Sequence, residues 1–194
     1  MFSKYDEGIQ LDDESWFSVT PERIAHHLAE RCRCDVIVDA FCGVGGNAIQ
    51  FAMTCNHVIA IDIDPDKIRM AKHNARIYGV QDRIEFVVGD MFQVVPHIYP
   101  PPDVVFLSPP WGGTEYGSGG GSFDIKTQIP LDGIKVFDVA LSLTEDIAYF
   151  LPKNVNQDQV VSLAGPGGRV EIEQNLLNRD MKAVTAYFGS LVQE

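Results

Sequence analysis

The chain has 194 residues, 45% of them hydrophobic and 10% aromatic, enough to bury one full core as a single compact unit. No run approaches the roughly 20 apolar residues of a membrane span, and the opening Met1-Phe2-Ser3-Lys4-Tyr5-Asp6 lacks the apolar stretch of a secretion signal, which points to an intracellular protein that touches no membrane. A formal charge of −12, from 27 acidic and 15 basic side chains, argues against a domain that grips long nucleic acid by its phosphates; any such partner is engaged locally and recruited by another protein or by a region beyond this chain.

Residues 1–34 read as an N-terminal helical extension and 35–194 as the principal domain. Thr20 followed by Pro21 has the form of a helix cap and first helical residue, so a helix is expected over 21–31. Cys32, Cys34, Cys42 and Cys55 contain no C-x-x-C pair and no His partner at zinc spacing; they read as reduced packing residues, with no metal site. From residue 35 onward, β-branched runs alternate with helical patterns, the pattern of an α/β sheet. Strands are expected at 36–40, 58–62, 84–88, 104–107, 147–151, 169–175 and 183–188, and helices at 46–54, 65–78 and 137–143. The sum is a Rossmann-like, seven-stranded, mostly parallel sheet with an antiparallel C-terminal strand and helices on both faces. Asp64 then Pro65 repeats the cap signal, Gly165-Pro166-Gly167-Gly168 marks a turn, and Asn178-Arg179-Asp180 joins the last two strands as a hairpin. Gly117-Ser118-Gly119-Gly120-Gly121-Ser122 reads either as a loop placed to close over a bound ligand or as a passive linker. His26, His27, His57, His73 and His97 show no pairing and read as surface or packing residues.

Ser108-Pro109-Pro110-Trp111, directly after the apolar run 104–107, carries chemistry. The two prolines fix φ and remove two N–H donors, leaving the carbonyls of Ser108 and Pro109 at a strand end able to accept from an amine, with an indole face beside them for a flat heterocycle. The alternative is a proline turn with Trp111 in the core. Upstream, Asp39-Ala40-Phe41-Cys42-Gly43-Val44-Gly45-Gly46-Asn47 follows the first strand and opens a helix, its glycines allowing a tight turn and close approach to a ligand. Asp62 ends the second strand, where a carboxylate reaches ribose hydroxyls, and Asp90 follows the third. Gly43-x-Gly45-x-x-Ala48 also satisfies the loose dinucleotide fingerprint, so NAD competes for the site. Asp39 favours S-adenosylmethionine, because a carboxylate there repels a pyrophosphate and pairs with a cationic amino group.

Together with Trp16-Phe17-Ser18-Val19-Thr20-Pro21-Glu22 and Ser108-Pro109-Pro110-Trp111-Gly112-Gly113, these motifs make the chain resemble the class I S-adenosylmethionine methyltransferases, and within them the trimethylguanosine synthase family, over nearly its whole length. The resemblance implies methyl transfer to the exocyclic N2 of a 7-methylguanosine RNA cap, giving 2,2,7-trimethylguanosine on small nuclear and nucleolar RNAs, in the nucleus (nucleolus and Cajal body) and cytoplasm. It implies that Trp111 stacks on the base, that Ser108 and Pro109 hold N2, and that Lys4, Tyr116, Lys153 and Asn154 meet the cap phosphates. Phe17, Thr20, Asp39, Gly43, Gly45, Asn47, Asp62, Ile63, Asp90, Met91 and Ser108 are then the cofactor set, with no metal. Two departures stand out: the Gly/Ser segment, and Lys153 in place of an expected arginine, which exchanges a bidentate fork for a point charge. Methylation of another exocyclic amine, such as adenine N6 or unmodified guanine N2, and an inactive cap-binding scaffold are the competing readings, with NAD-dependent oxidoreduction third.

Overall fold

A computed structural model of the chain describes residues 2–112 and 121–193. Seven strands, β1 (Val36–Asp39), β2 (His57–Asp62), β3 (Ile84–Val88), β4 (Val104–Leu107), β5 (Ile147–Pro152), β6 (Val170–Leu177) and β7 (Asp180–Phe188), form one sheet in the order β3-β2-β1-β4-β5-β7-β6. Pairing from β3 to β5 is parallel, and β7 runs antiparallel to both its neighbours. Parallel neighbours need crossovers. These carry α3 (Gly46–Thr54), α4 (Pro65–Tyr78), the short α5 (Met91–Val94) and α6 (Gly133–Leu141), while α7 (Gln157–Leu163) precedes β6. Ahead of the sheet lie α1 (Asp13–Ser18) and α2 (Glu22–Arg31). No helix among the described residues is long and apolar enough to cross a membrane.

The strands alternate their side chains between two cores. Ile37, Val58, Phe106 and Phe150 face Leu28, Ile49, Phe51 and Ile68 of α2 to α4. Val38, Val105, Leu107 and Tyr149 face Val136, Phe137 and Val160 of α6 and α7. Each fully buried large side chain contributes roughly 1.5–3 kcal/mol against exposure, which is why the central strands read as continuous apolar runs. Arg31 ties α2 to the antiparallel edge. Its guanidinium lies 3.9 Å over the Tyr187 ring and bonds Glu171 at 2.8 and 3.0 Å and Glu173 at 3.2 Å.

Several expectations need correction. Helix α2 begins at Glu22 with Pro21 as its cap, because the Thr20 hydroxyl accepts instead from the Asn47 amide at 3.0 Å. Helix α6 starts earlier than position 137, since Asp132 caps it through the Ile134 and Lys135 amides. Helices α1, α5 and α7 were not anticipated; each is short and buries a single residue, leaving no apolar period to detect. Four of the five histidines are engaged: His27 meets Glu173 at 2.7 Å, His57 meets Glu85 at 3.6 Å, and His73 and His97 contact the Gly8 and Gln93 carbonyls.

The hairpin turn is tighter than sequence indicated, with Leu177 paired to Asp180 and the two residues between them at positive φ, 52° for Asn178 and 70° for Arg179. A turn of that hand favours Asn-Gly. Arg179→Gly is therefore expected to raise the unfolding free energy from urea titration by roughly 0.5–1 kcal/mol, with Arg179→Val lowering it; a loss in the glycine variant contradicts the turn geometry.

Candidate active site at the strand-order reversal

The parallel strands end on one edge, and the order reverses between β1 and β4, where a crevice opens in sheets of this kind. Asp39 ends β1, Asp62 ends β2, Asp90 caps α5 beyond β3, Ser108 follows β4 and Lys153 follows β5. The sequence-predicted acids and the Ser-Pro-Pro-Trp corner thus share one edge.

Asp39 is fully buried, and no hydrogen bond from a described residue reaches either of its carboxylate oxygens. The backbone N–H groups of Phe41 and Ala48 favour its charged form. Burial dominates, the nearby Asp62 charge adds to it, and the pKa is pushed up to about 7. Asp62 is better served: its oxygens accept from the Gly43 amide at 2.8 Å and the Asp64 amide at 3.0 Å. Burial still raises its pKa, against those two N–H groups. Asp90 accepts from the Phe92 amide at 3.0 Å.

Between these acids, the glycine turn is built by close approach. Gly45 caps α3 at φ 91°, and a Cβ there would also lie 3.3 Å from that of Ala71. At Gly46 a Cβ would come within 2.6 Å of Val19 Cγ2, so the N-terminal segment presses directly on the turn. Asn47 donates to Thr20, and its own side-chain oxygen is buried without a hydrogen-bond partner among the described residues. Phe17 is 73% exposed and Ile63 70% exposed, whereas Met91 is buried. The site therefore offers two exposed apolar flanks beside buried acceptors. An unmatched buried carboxylate and an unmatched amide oxygen beside a glycine turn fit a cationic ligand with donor groups, such as S-adenosylmethionine, and oppose a pyrophosphate.

On the other side of the reversal, the Ala40 amide bonds the Phe106 carbonyl at 3.1 Å, and the Ser108 hydroxyl donates to the Phe41 carbonyl at 3.4 Å. The hydrogen bonds of the described residues include none to the Ser108 or Pro109 carbonyl. Trp111 is half-buried and packs against both cores, and its ring stacks on Phe150 with centroids 5.4 Å apart at 28°. The indole is thus partly core, with Phe150 against its ring.

Not every predicted contact converges. The Lys4 ammonium is committed to Glu7 at 3.3 Å and to the Ile77 carbonyl at 3.2 Å, in the last turn of α4. The Asn154 amide donates to the Gly121 carbonyl at 2.9 Å. Lys153 is exposed at the end of β5. Tyr116 and residues 117–120 of the Gly/Ser loop lie outside the described residues. Among the described residues no group of three or more His, Cys, Asp or Glu could hold a metal ion. Sequence reasoning missed Asn74 and Lys67. The available signal was an Asn in the interior of a helix, where its propensity is poor.

Because the folded pKa of Asp39 lies above the ordinary 3.8, its protonated form is favoured by folding. The stability it contributes is complete below pH 4 and lost as pH rises through about 7, on the order of 4 kcal/mol at most. Asp39→Asn is expected to flatten that part of the pH–stability curve measured by denaturant titration; a curve parallel to wild type contradicts the burial of an unpaired acid.

A family model for RNA cap guanine-N2 methyltransferase matches residues 34–191. Trimethylguanosine synthase of Schizosaccharomyces pombe is 39% identical over 197 residues, covering 97% of this chain and 82% of that protein. The Saccharomyces cerevisiae trimethylguanosine synthase is 36% identical over 206 residues, covering 97% of this chain but 64% of its own length. A structure from Porphyromonas gingivalis W83 assigned as a methyltransferase superimposes with TM-score 0.75 over 95% of this chain and 44% of its own; at 15% identity it shows the shared fold alone. With a family match that spans the whole sheet, and relatives above 30% identity along almost its full length, the chain belongs to the RNA cap guanine-N2 methyltransferase family.

Proposed function

We propose that the protein transfers methyl groups from S-adenosylmethionine to the exocyclic N2 of a 7-methylguanosine RNA cap, giving 2,2,7-trimethylguanosine on small nuclear and nucleolar RNAs inside the cell, the nucleus included. The observation that carries this reading is the pairing of opposites across the β1–β4 reversal: a buried unmatched carboxylate at Asp39 on one side, and the Ser108-Pro109-Pro110-Trp111 corner on the other. The family match from residue 34 supports treating 35–194 as the catalytic unit and 1–34 as an extension that borders the ligands.

On this reading the Asp39 carboxylate pairs with the cationic amino group of the methyl donor, the Asp62 and Asp90 carboxylates accept from ribose hydroxyls and the adenine amine, and Phe17, Ile63 and Met91 flank the adenosine. When bound, S-adenosylmethionine supplies an electrophilic methyl group on a sulfonium. Trp111 stacks on 7-methylguanine, whose positive charge gains ~1 to 2 kcal/mol from an indole face when desolvated. The Ser108 hydroxyl and Pro109 carbonyl accept from the N2 hydrogens and hold the amine in line, so positioning is the main catalytic demand. Ser108 stands where related amine methyltransferases carry Asn or Asp, and it is no strong base. The N2 proton therefore leaves after transfer, from an ammonium product that releases it readily. Of the two lysines expected at the cap, Lys153 remains exposed just after β5 for a cap phosphate. Lys4 and Asn154 are occupied elsewhere.

Trp111→Ala is expected to lower turnover of 7-methylguanosine nucleotide at least ~100-fold while leaving donor affinity within about twofold, read by product mass and by calorimetry. Equal loss of both places Trp111 in a purely structural role. Wild type methylating guanosine nucleotide as fast as 7-methylguanosine nucleotide favours the broader amine methyltransferase, and donor binding without turnover on any cap favours the inactive scaffold.

A further inference from the structure

Helix α1 is six residues long and buries only Ser15, with Trp16 43% and Phe17 73% exposed. A helix that short is not stable alone, and this one has almost no apolar face to hold it down. Its position depends on polar bolts instead, and two of them stand on one face of α4, two turns apart at Lys67 and Asn74.

The Lys67 ammonium donates to Asp12 Oδ1 at 2.8 Å, Asp12 Oδ2 at 2.6 Å and Ser15 Oγ at 2.8 Å, and lies 3.0 Å from Glu14 Oε2. Asp12 is also the cap of α1, accepting from the Ser15 amide at 2.7 Å. Asn74 is fully buried. Its Oδ1 accepts from the Gln10 amide at 2.8 Å, and its Nδ2 donates to both the Gln10 and the Val44 carbonyl at 2.9 Å. Val44 stands between Gly43 and Gly45, the two left-handed residues of the glycine turn. One amide thus ties the N-terminal segment and the turn to the same helix. Downstream, the segment meets the turn again through Thr20 and Asn47 and through Val19 over Gly46.

We propose that Lys67 and Asn74 are positioning residues for the methyl-donor half of the site. By bolting residues 10–15 to α4 they set Phe17 to Thr20 against Gly43 to Asn47, and so govern donor affinity without touching the base. The inference rests on the reading that this crevice binds S-adenosylmethionine. It assigns a role to two residues that contact no ligand.

The test uses the full chain with S-adenosylmethionine, by titration calorimetry and by steady-state kinetics with 7-methylguanosine nucleotide as acceptor. Asp12→Asn keeps a good helix cap but removes the charge facing Lys67, and Asn74→Ala removes the double bracket. Both are expected to raise donor Kd and donor KM roughly tenfold, with kcat at saturating donor and acceptor KM within about twofold. Glu171→Gln, which loosens the distant Arg31 pair, is the control for plain destabilisation: it lowers the melting temperature and leaves donor KM unchanged. Should Asn74→Ala not fold, Asp12→Asn carries the comparison. Wild type that binds donor tightly while both variants bind it equally well overturns this inference alone, as does a Glu171→Gln variant that raises donor KM as much at the same loss of melting temperature. Wild type that binds no donor overturns the functional reading and this inference with it.

Discussion

Strands β1 and β4 are neighbours in space but not in sequence, and the chain leaves them toward opposite faces of the sheet, from β1 into α3 and from β4 toward α6. Their register is closed by the Ala40 amide on the Phe106 carbonyl, and the Ser108 hydroxyl reaches across to the Phe41 carbonyl just beyond. Past that point the backbones part. The groups at the parting are covered by protein yet not consumed by the ladder, which is the condition for a buried acceptor without a donor. Asp39 sits there, and a carboxylate so placed is costly until a cation meets it. On the proposed reading, binding energy for a positive ligand is concentrated where the ladder of β1 and β4 leaves this carboxylate without a donor among the described residues.

The segment that approaches this place from outside is held in a different currency from the core. Apolar contacts bind β1 to α3, whereas the approach of α1 is set by the Lys67 ammonium, the Asn74 amide and the Asn47–Thr20 bond. The two carboxylates at the ends of this arrangement respond oppositely to pH. Burial works against the charge of Asp12, but hydrogen bonds from Lys67 and Ser15 hold its pKa down to about 2. Its contribution is thus present above the ordinary carboxylate range and lost only as pH falls toward 2. Asp39 lies near its midpoint at neutral pH for want of such partners. The bolt is fully charged under conditions where the site it supports still waits for a counter-charge.

The sequence shows the sheet clearly because each central strand is an apolar run bounded by an acid or a glycine, and β-branched runs of four to six residues have few other readings. It shows the glycine turn and the Asp64-Pro65 start of α4 for similarly local reasons. Helices α1 and α7 escaped notice because each buries a single residue; the Asp12 and Asn156 caps were present without the period that would have made them convincing. Pro21 shifted from first helical residue to cap because Thr20 had a better partner in Asn47, a contact 27 positions away that no local rule anticipates. Lys4 and Asn154 illustrate the same limit. A lone donor in sequence carries no sign of whether its partner is a ligand or the fold, and here both are spent on backbone carbonyls.

Trp111 is the position where the two kinds of information meet. Read alone, an indole after two prolines could equally be core or platform. Its half-buried place over both cores, packed on Phe150, holds the ring rigid, so on the proposed reading stacking a base on it costs little further ordering. That matters for a chain of net charge −12. Such a surface repels the phosphates of RNA, so on the proposed reading attraction has to come from the base, and 7-methylguanine is the rare base that brings its own positive charge. An electron-rich ring face and a crevice of carboxylates favour that charged purine over neutral guanine by the same electrostatics that disfavour the strand attached to it. The acidity that excludes general nucleic-acid binding is then the source of the selectivity.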